Sequence, residues 1–166
     1  MADPQKDLVY AWETTFRQFN EHNVPRRVLR QLIRRAERVY RIDPVTILFT
    51  NRIRKAKRFA KIASAYDPGA HSITLGWKDQ NYGIALHEVA HAITDFVLGD
   101  ELPAHGAHWL GVYFWLLEWA RVAPREALHA SAKAHGLVWA PHGKIGPRTI
   151  RKSYRAMVEK AAVARG

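Results

Sequence analysis

The chain has 166 residues, 48% of them apolar, which suits one domain with a hydrophobic core and excludes a disordered chain. It contains no cysteine, so disulfides and thiolate metal sites are excluded and a bound metal must rely on His, Asp or Glu. The formal net charge of +11 is localised: residues 26–61 hold 13 basic side chains against Glu37 and Asp43, while the remaining 13 basic and 13 acidic residues cancel.

Residues 5–20 are expected to form an amphipathic helix, because Leu8, Trp12, Phe16 and Phe19 recur at three- and four-residue steps. Pro25 can open a second helix that runs to about Ile42. Its apolar stripe is Leu29, Leu32 or Ile33, Ala36 and Val39 or Tyr40; the other faces carry Arg26, Arg27, Arg30, Arg34, Arg35, Arg38 and Arg41. Asp43-Pro44 ends it, since a residue before proline is pushed out of the helical region. Residues 45–49 and 58–66 read as strands. A third strand, 72–77, puts Ile73, Leu75 and Trp77 on one face. The turn Asp67-Pro68-Gly69-Ala70, with Pro and Gly at type II positions, joins the last two in a hairpin. Residues 82–98 form the clearest helix, capped by Asp79 or Asn81 and ended by Gly99. A polar loop leads to an apolar helix over about 107–122. Pro124 opens a further helix ending at Gly136, 137–140 is a short strand, and 148–164 is a basic terminal helix.

The chemistry is concentrated at His87-Glu88-Val89-Ala90-His91, an H-E-x-x-H sequence inside the clearest helix. Residues four apart lie on one helix face about a turn apart, so both imidazoles can reach one metal ion. Glu88 is one step round, where it can take a proton from a water acidified by the metal. His87 and His91 are therefore candidate ligands, Glu88 the candidate general base, and peptide-bond hydrolysis the expected reaction. A catalytic zinc takes three protein ligands. His105 and His108 both follow within reach, Glu118 is a carboxylate alternative, and Asp100 and Glu101 are weaker loop acids. Thr94 stands where the metzincin pattern requires glycine. Asp95, four residues after His91, is a candidate for orienting a metal-bound imidazole. Tyr113 or Tyr82 is a candidate oxyanion donor, and Trp109, Tyr113, Trp115, Leu116, Leu117 and Trp119 read as core.

His87-Glu88-Val89-Ala90-His91-Ala92, followed by His105-Gly106-Ala107-His108-Trp109, resembles the SprT-like metallopeptidases over about residues 59–120. The resemblance implies zinc on His87, His91 and His105, with Glu88 catalytic and Trp109 in the place of an aromatic packing residue. Many relatives carry a cysteine zinc ribbon and Pro-Glu after the His-Gly pair. This chain has no cysteine and has Ala107 and His108 there, which leaves His108 open as a ligand, a partner to a ligand or a transition-state stabiliser. The family includes proteases that act on proteins bound or crosslinked to DNA, which fits the basic segment.

The expected fold is α+β: a zincin-like core with a short antiparallel sheet packed on the H-E-x-x-H helix, surrounded by basic helices. One domain is expected over 1–166, with a basic helical part (1–55), a catalytic core (56–122) and a helical, basic part (123–166). The strand at 72–77 is the expected edge along which a protein or peptide substrate lies extended. The seven arginines above, with Arg54, Lys55, Lys57 and Arg58, are the expected phosphate contacts to DNA, sequence-independent and salt-sensitive. No apolar run is long enough to span a bilayer and no secretory signal is visible, so a cytoplasmic setting without membrane association is expected. Two other readings stand: a nucleic-acid-binding or adaptor protein with a structural His-bound zinc, and a basic structural component with a vestigial site.

Overall fold

The computed structural model describes residues 3, 5–16, 24–51, 64–99 and 102–140. Over these the chain is α+β, with elements in the order α1 (Lys6–Glu13), α2 (Arg26–Tyr40), β1 (Thr46–Phe49), β2 (Ala65–Asp67), β3 (Ser72–Leu75), α3 (Tyr82–Leu98), α4 (Ala107–Trp119) and α5 (Arg125–Ala134). Among the described residues no helix is long and apolar enough to cross a membrane.

α3 is the centre of the fold, because its sequence is apolar on nearly every side. α4 packs along it most extensively, α2 lies against another face, and β2 and β3 cover a third. The Asn81 side chain caps its start by accepting from the Ile84 backbone N–H at 2.8 Å. Gly99 ends it at φ 76, a conformation that costs other residues a steric clash. Leu86 and Ile93 are fully buried; truncating either to alanine costs about 2–5 kcal/mol.

α2 buries Leu29, Ile33, Ala36, Glu37 and Tyr40, the expected stripe plus one acid. Glu37 has a structural use: its carboxylate accepts from Arg34 at 2.7 Å and from the Val45 backbone N–H at 2.9 Å, pinning the start of the sheet to the helix. α1 is shorter than 5–20 and turned from the expected stripe. Val9, Trp12 and Glu13 are buried and Leu8 is exposed, because the face at steps of three and four from Val9 is the one that meets α3 and α4.

The sheet departs from expectation in three ways. Its order is β1-β3-β2, with β1 parallel and β2 antiparallel to β3, so it is mixed rather than antiparallel. β3 is consequently the central strand and cannot be the substrate edge; Thr46 to Phe49 already pair with Ser72 to Leu75. Described strand structure before the hairpin covers only Ala65–Asp67 of the expected 58–66, since residues 52–63 lie outside the described residues. The hairpin itself is present, but Gly69 does not take the positive φ of a type II turn; His71 does, at φ 44. Ile73 and Leu75 point into the core and Trp77 is exposed.

Residues 137–140 are extended without being a strand: Ala140 donates to the Ala107 carbonyl and Val138 to the Gln5 side chain. The basic helix expected at 148–164 lies outside the described residues.

Candidate metal centre

α3 brings His87 and His91 to one face, as their spacing requires. Their Nε2 atoms are 3.1 Å apart, and His105 Nε2 is 3.2 Å from that of His87. His105 arrives from the turn before α4, where the Gly106 N–H donates to the Pro103 carbonyl and a Cβ at 106 would meet that oxygen at 3.1 Å. All three donor atoms lie within 4.8 Å of one another. A tetrahedral ion bonded to imidazole at 2.0–2.1 Å sets neighbouring nitrogens about 3.3 Å apart. The separations from His87 suit one shared ion.

The outer ring nitrogens establish which atoms face inward. His87 Nδ1 lies 2.7 Å from Glu13 Oε1, and His105 Nδ1 lies 2.5 Å from Asp3 Oδ2. With Nδ1–H donating to its carboxylate, each neutral ring turns its Nε2 lone pair toward its neighbours. Converging lone pairs repel unless a cation lies between them. Burial and the neighbouring His87 and His105 hold His91 well below the usual imidazole range, and burial lowers His105 despite Asp3. Burial also opposes charge on His87, but Glu13 outweighs it and raises that pKa. Two imidazoles kept neutral, with carboxylates behind the set, fit a divalent metal better than a stack of protons.

Glu88 follows His87 on α3 and is buried. Burial raises its pKa to about 6, while His87 and a backbone hydrogen bond from Tyr66 pull it down. Its carboxylate lines a cavity of about 370 Å³ together with the three histidines, Tyr10, Tyr66, Asp95 and Leu102. β2 contributes Ala65 and Tyr66 to that wall and, among the described residues, takes the edge position expected of residues 72–77. The Trp109 ring packs against all three imidazoles, at 4.7, 4.9 and 4.7 Å between ring centres.

Several expected site residues lie elsewhere. His108 is exposed in the first turn of α4 and lines a different groove with Leu8 and Val138. Its spacing from His105 does not put the two on one face, because His105 precedes the helix. Tyr113 is completely buried behind His87, where its hydroxyl donates to Glu13 at 2.8 Å, so it braces a carboxylate rather than meeting a substrate. Asp95 accepts from the Tyr66 hydroxyl at 2.9 Å rather than from an imidazole. Glu118 pairs with Arg125, and Tyr82 lines the arginine groove described below. Asp100 and Glu101 lie outside the described residues.

The residues missed by sequence reasoning are Asp3, Tyr10 and Glu13. One signal was present: Val9, Trp12, Glu13 and Phe16 occupy steps of zero, three, four and seven, which places an acid inside an apolar stripe.

The arginines form a second region. Arg27, Arg30, Arg34, Arg35, Arg38 and Arg121 line a groove with Tyr82 and Trp119. Arg26 is tied to Thr50, Asn51 and Gln80, Arg34 to Glu37, and Arg35 lies over Trp119. Arg41 closes α2 in the left-handed conformation and is exposed. Arg54, Lys55, Lys57 and Arg58 lie outside the described residues. No protein-family model, curated protein or solved structure matches the chain.

Proposed function

We propose that the chain is a zinc-dependent endopeptidase of the SprT-like kind, zincin-like in plan, acting on proteins carried by DNA. The observation that carries the reading is the meeting of three converging imidazole nitrogens with the buried Glu88 carboxylate at one cavity. Zinc bound by His87, His91 and His105 would polarise a peptide carbonyl and bring the pKa of water to about 7. Glu88 takes the proton of the attacking water and returns it to the leaving amine. Burial raises its pKa to about 6 in the metal-free chain, the direction that a proton-carrying base near neutral pH needs. β2, which pairs only with β3 among the described residues, offers an extended peptide an edge beside these groups. The arginines of α2 supply phosphate contacts that hold the enzyme near nucleic acid.

A structural zinc in a non-catalytic DNA-binding protein is the competing reading. Such a site is closed by four protein donors. Among the described residues three converge, and they do so on a cavity, which favours catalysis. The test is cleavage of casein by the zinc-loaded chain and by Glu88→Gln. Loss of about a thousandfold in rate with zinc retained is expected. Undiminished cleavage by the variant overturns the mechanism.

A further inference from the structure

We propose that Tyr10 is a catalytic residue of this centre, its phenolic O–H donating a hydrogen bond to the substrate carbonyl oxygen as negative charge gathers there. The inference rests on the peptidase reading and extends it to a residue from the opposite end of the described chain.

Among the described residues three tyrosines meet the centre, and two are committed elsewhere. The Tyr113 hydroxyl is wholly buried and donates to Glu13, with the Gly83 carbonyl at 3.2 Å. The Tyr66 hydroxyl donates to Asp95 and lies 3.3 Å from His71 Nδ1. Tyr10 differs from both. Its side chain lines the same cavity as Glu88, the residue is 43% exposed, and its hydroxyl has no hydrogen-bond partner among the described residues. The ring stacks on His87 at 5.9 Å and 11° and meets the edge of His105 at 5.4 Å. The phenol therefore borders the space where a substrate carbonyl must sit to be attacked near these imidazoles.

Its mounting is rigid. Tyr10 and Glu13 lie three apart on α1 and both contact His87, one on the ring face and the other at Nδ1. The segment leading into α1 is fastened by Asp3 to His105 and by Gln5, whose amide donates to the Val138 carbonyl at 3.0 Å and accepts from the Val138 N–H at 2.7 Å. A donor whose ring packs on the imidazoles and whose helix is anchored in this way is partly preorganised for the charge that develops, which favours transition-state stabilisation.

In the reaction, the water oxygen bonds to the carbonyl carbon, its proton passes to Glu88 and the C=O π pair moves to the carbonyl oxygen. Tyr10 donates to that oxygen and keeps its proton. The oxyanion's pair then re-forms C=O as the C–N bond breaks with its electron pair on nitrogen, which takes the proton from Glu88, so that water and peptide become a carboxylic acid and an amine.

Wild type and Tyr10→Phe, both zinc-loaded, are compared on casein, in calorimetric binding of a phosphinic peptide that mimics the tetrahedral state, and in zinc affinity. The expected result is a loss of about a hundredfold in kcat with KM little changed. Phosphinic peptide binding should weaken by a similar factor and zinc affinity should not move. Full kcat in the variant overturns the proposal, and so does loss of zinc, which makes Tyr10 a support for the ligands. A wild-type chain that binds zinc and cleaves nothing refutes the peptidase reading itself, a result distinct from either.

Discussion

The histidine cluster and the arginine face are both crowded with ionisable groups, yet they are assembled by opposite rules. At the centre, charge is buried, and two of the three histidines have a carboxylate partner drawn from a distant part of the chain: Glu13 reaches His87, and Asp3 reaches His105. On the arginine face, charge comes from one helix and its neighbours, and much of it stays in solvent. Burial without a partner is costly, so an interior site must recruit partners wherever the fold can supply them. An exposed cationic helix needs only a stripe to pack on. Substitutions at the centre should therefore act through specific geometry, whereas those on the face should act through number and position of charge.

The largest effect on zinc affinity short of removing a ligand is expected at Glu13. In Glu13→Gln the amide still accepts from Tyr113 but no longer places a negative charge on His87 Nδ1. Zinc affinity should fall about 10- to 100-fold, read by competition with a chromogenic chelator. Asp3→Asn should cost less, because the Asp3 side chain is 20% exposed and solvent can replace it. Equal, negligible effects at both positions would break the distinction between buried partner and exposed charge.

Glu88 gives a smaller and differently signed effect in zinc-free protein. Its folded pKa of about 6 stands above the ordinary 4.5 because burial disfavours the carboxylate. Between those values the unfolded chain has released a proton that the folded chain still holds, so this group's contribution to stability falls as pH rises through the window. Above it the deficit is about 2 kcal/mol. Glu88→Gln cannot ionise and should therefore exceed wild type in urea stability by roughly that amount at pH 7, with the difference vanishing near pH 4. A variant no more stable at pH 7 would mean that Glu88 carries no buried-charge cost.

The same contrast explains what the sequence disclosed. Periodicity made α2 and α3 readable, and the spacing of His87, Glu88 and His91 needed only one helix turn. Their partners were another matter. Glu13 lies 74 positions from His87 and Asp3 lies 102 from His105, separations at which no local pattern operates. Leu8 and Val9 stand side by side, which leaves the helix face undecided until something packs on it. β3 was assigned an edge because a hairpin shows one neighbour; the parallel pairing of β1 comes from across the fold. His105 and His108 are both visible as candidates after the helix, and only the resemblance selects between them, since a loop residue carries no periodicity of its own.

The smallest single effects belong to the arginines, and they differ among themselves in a way that can be measured. Arg34 is held by Glu37 and presents little net charge, whereas Arg27 and Arg38 have no ion pair among the described residues. If the groove contacts a phosphate backbone, Arg27→Ala and Arg38→Ala should each weaken duplex binding by a similar factor whatever the DNA sequence. Each should also make the slope of log affinity against log salt shallower by about one. Arg34→Ala should change the slope less, because removing it also frees the Glu37 carboxylate that now anchors Val45, and its main cost is to stability. Cleavage of a free peptide at the metal centre should be untouched by Arg27→Ala and Arg38→Ala. A slope that moves with Arg34 and not with Arg27 or Arg38 would show that pairing, rather than freedom from it, selects the arginines that meet the polyanion.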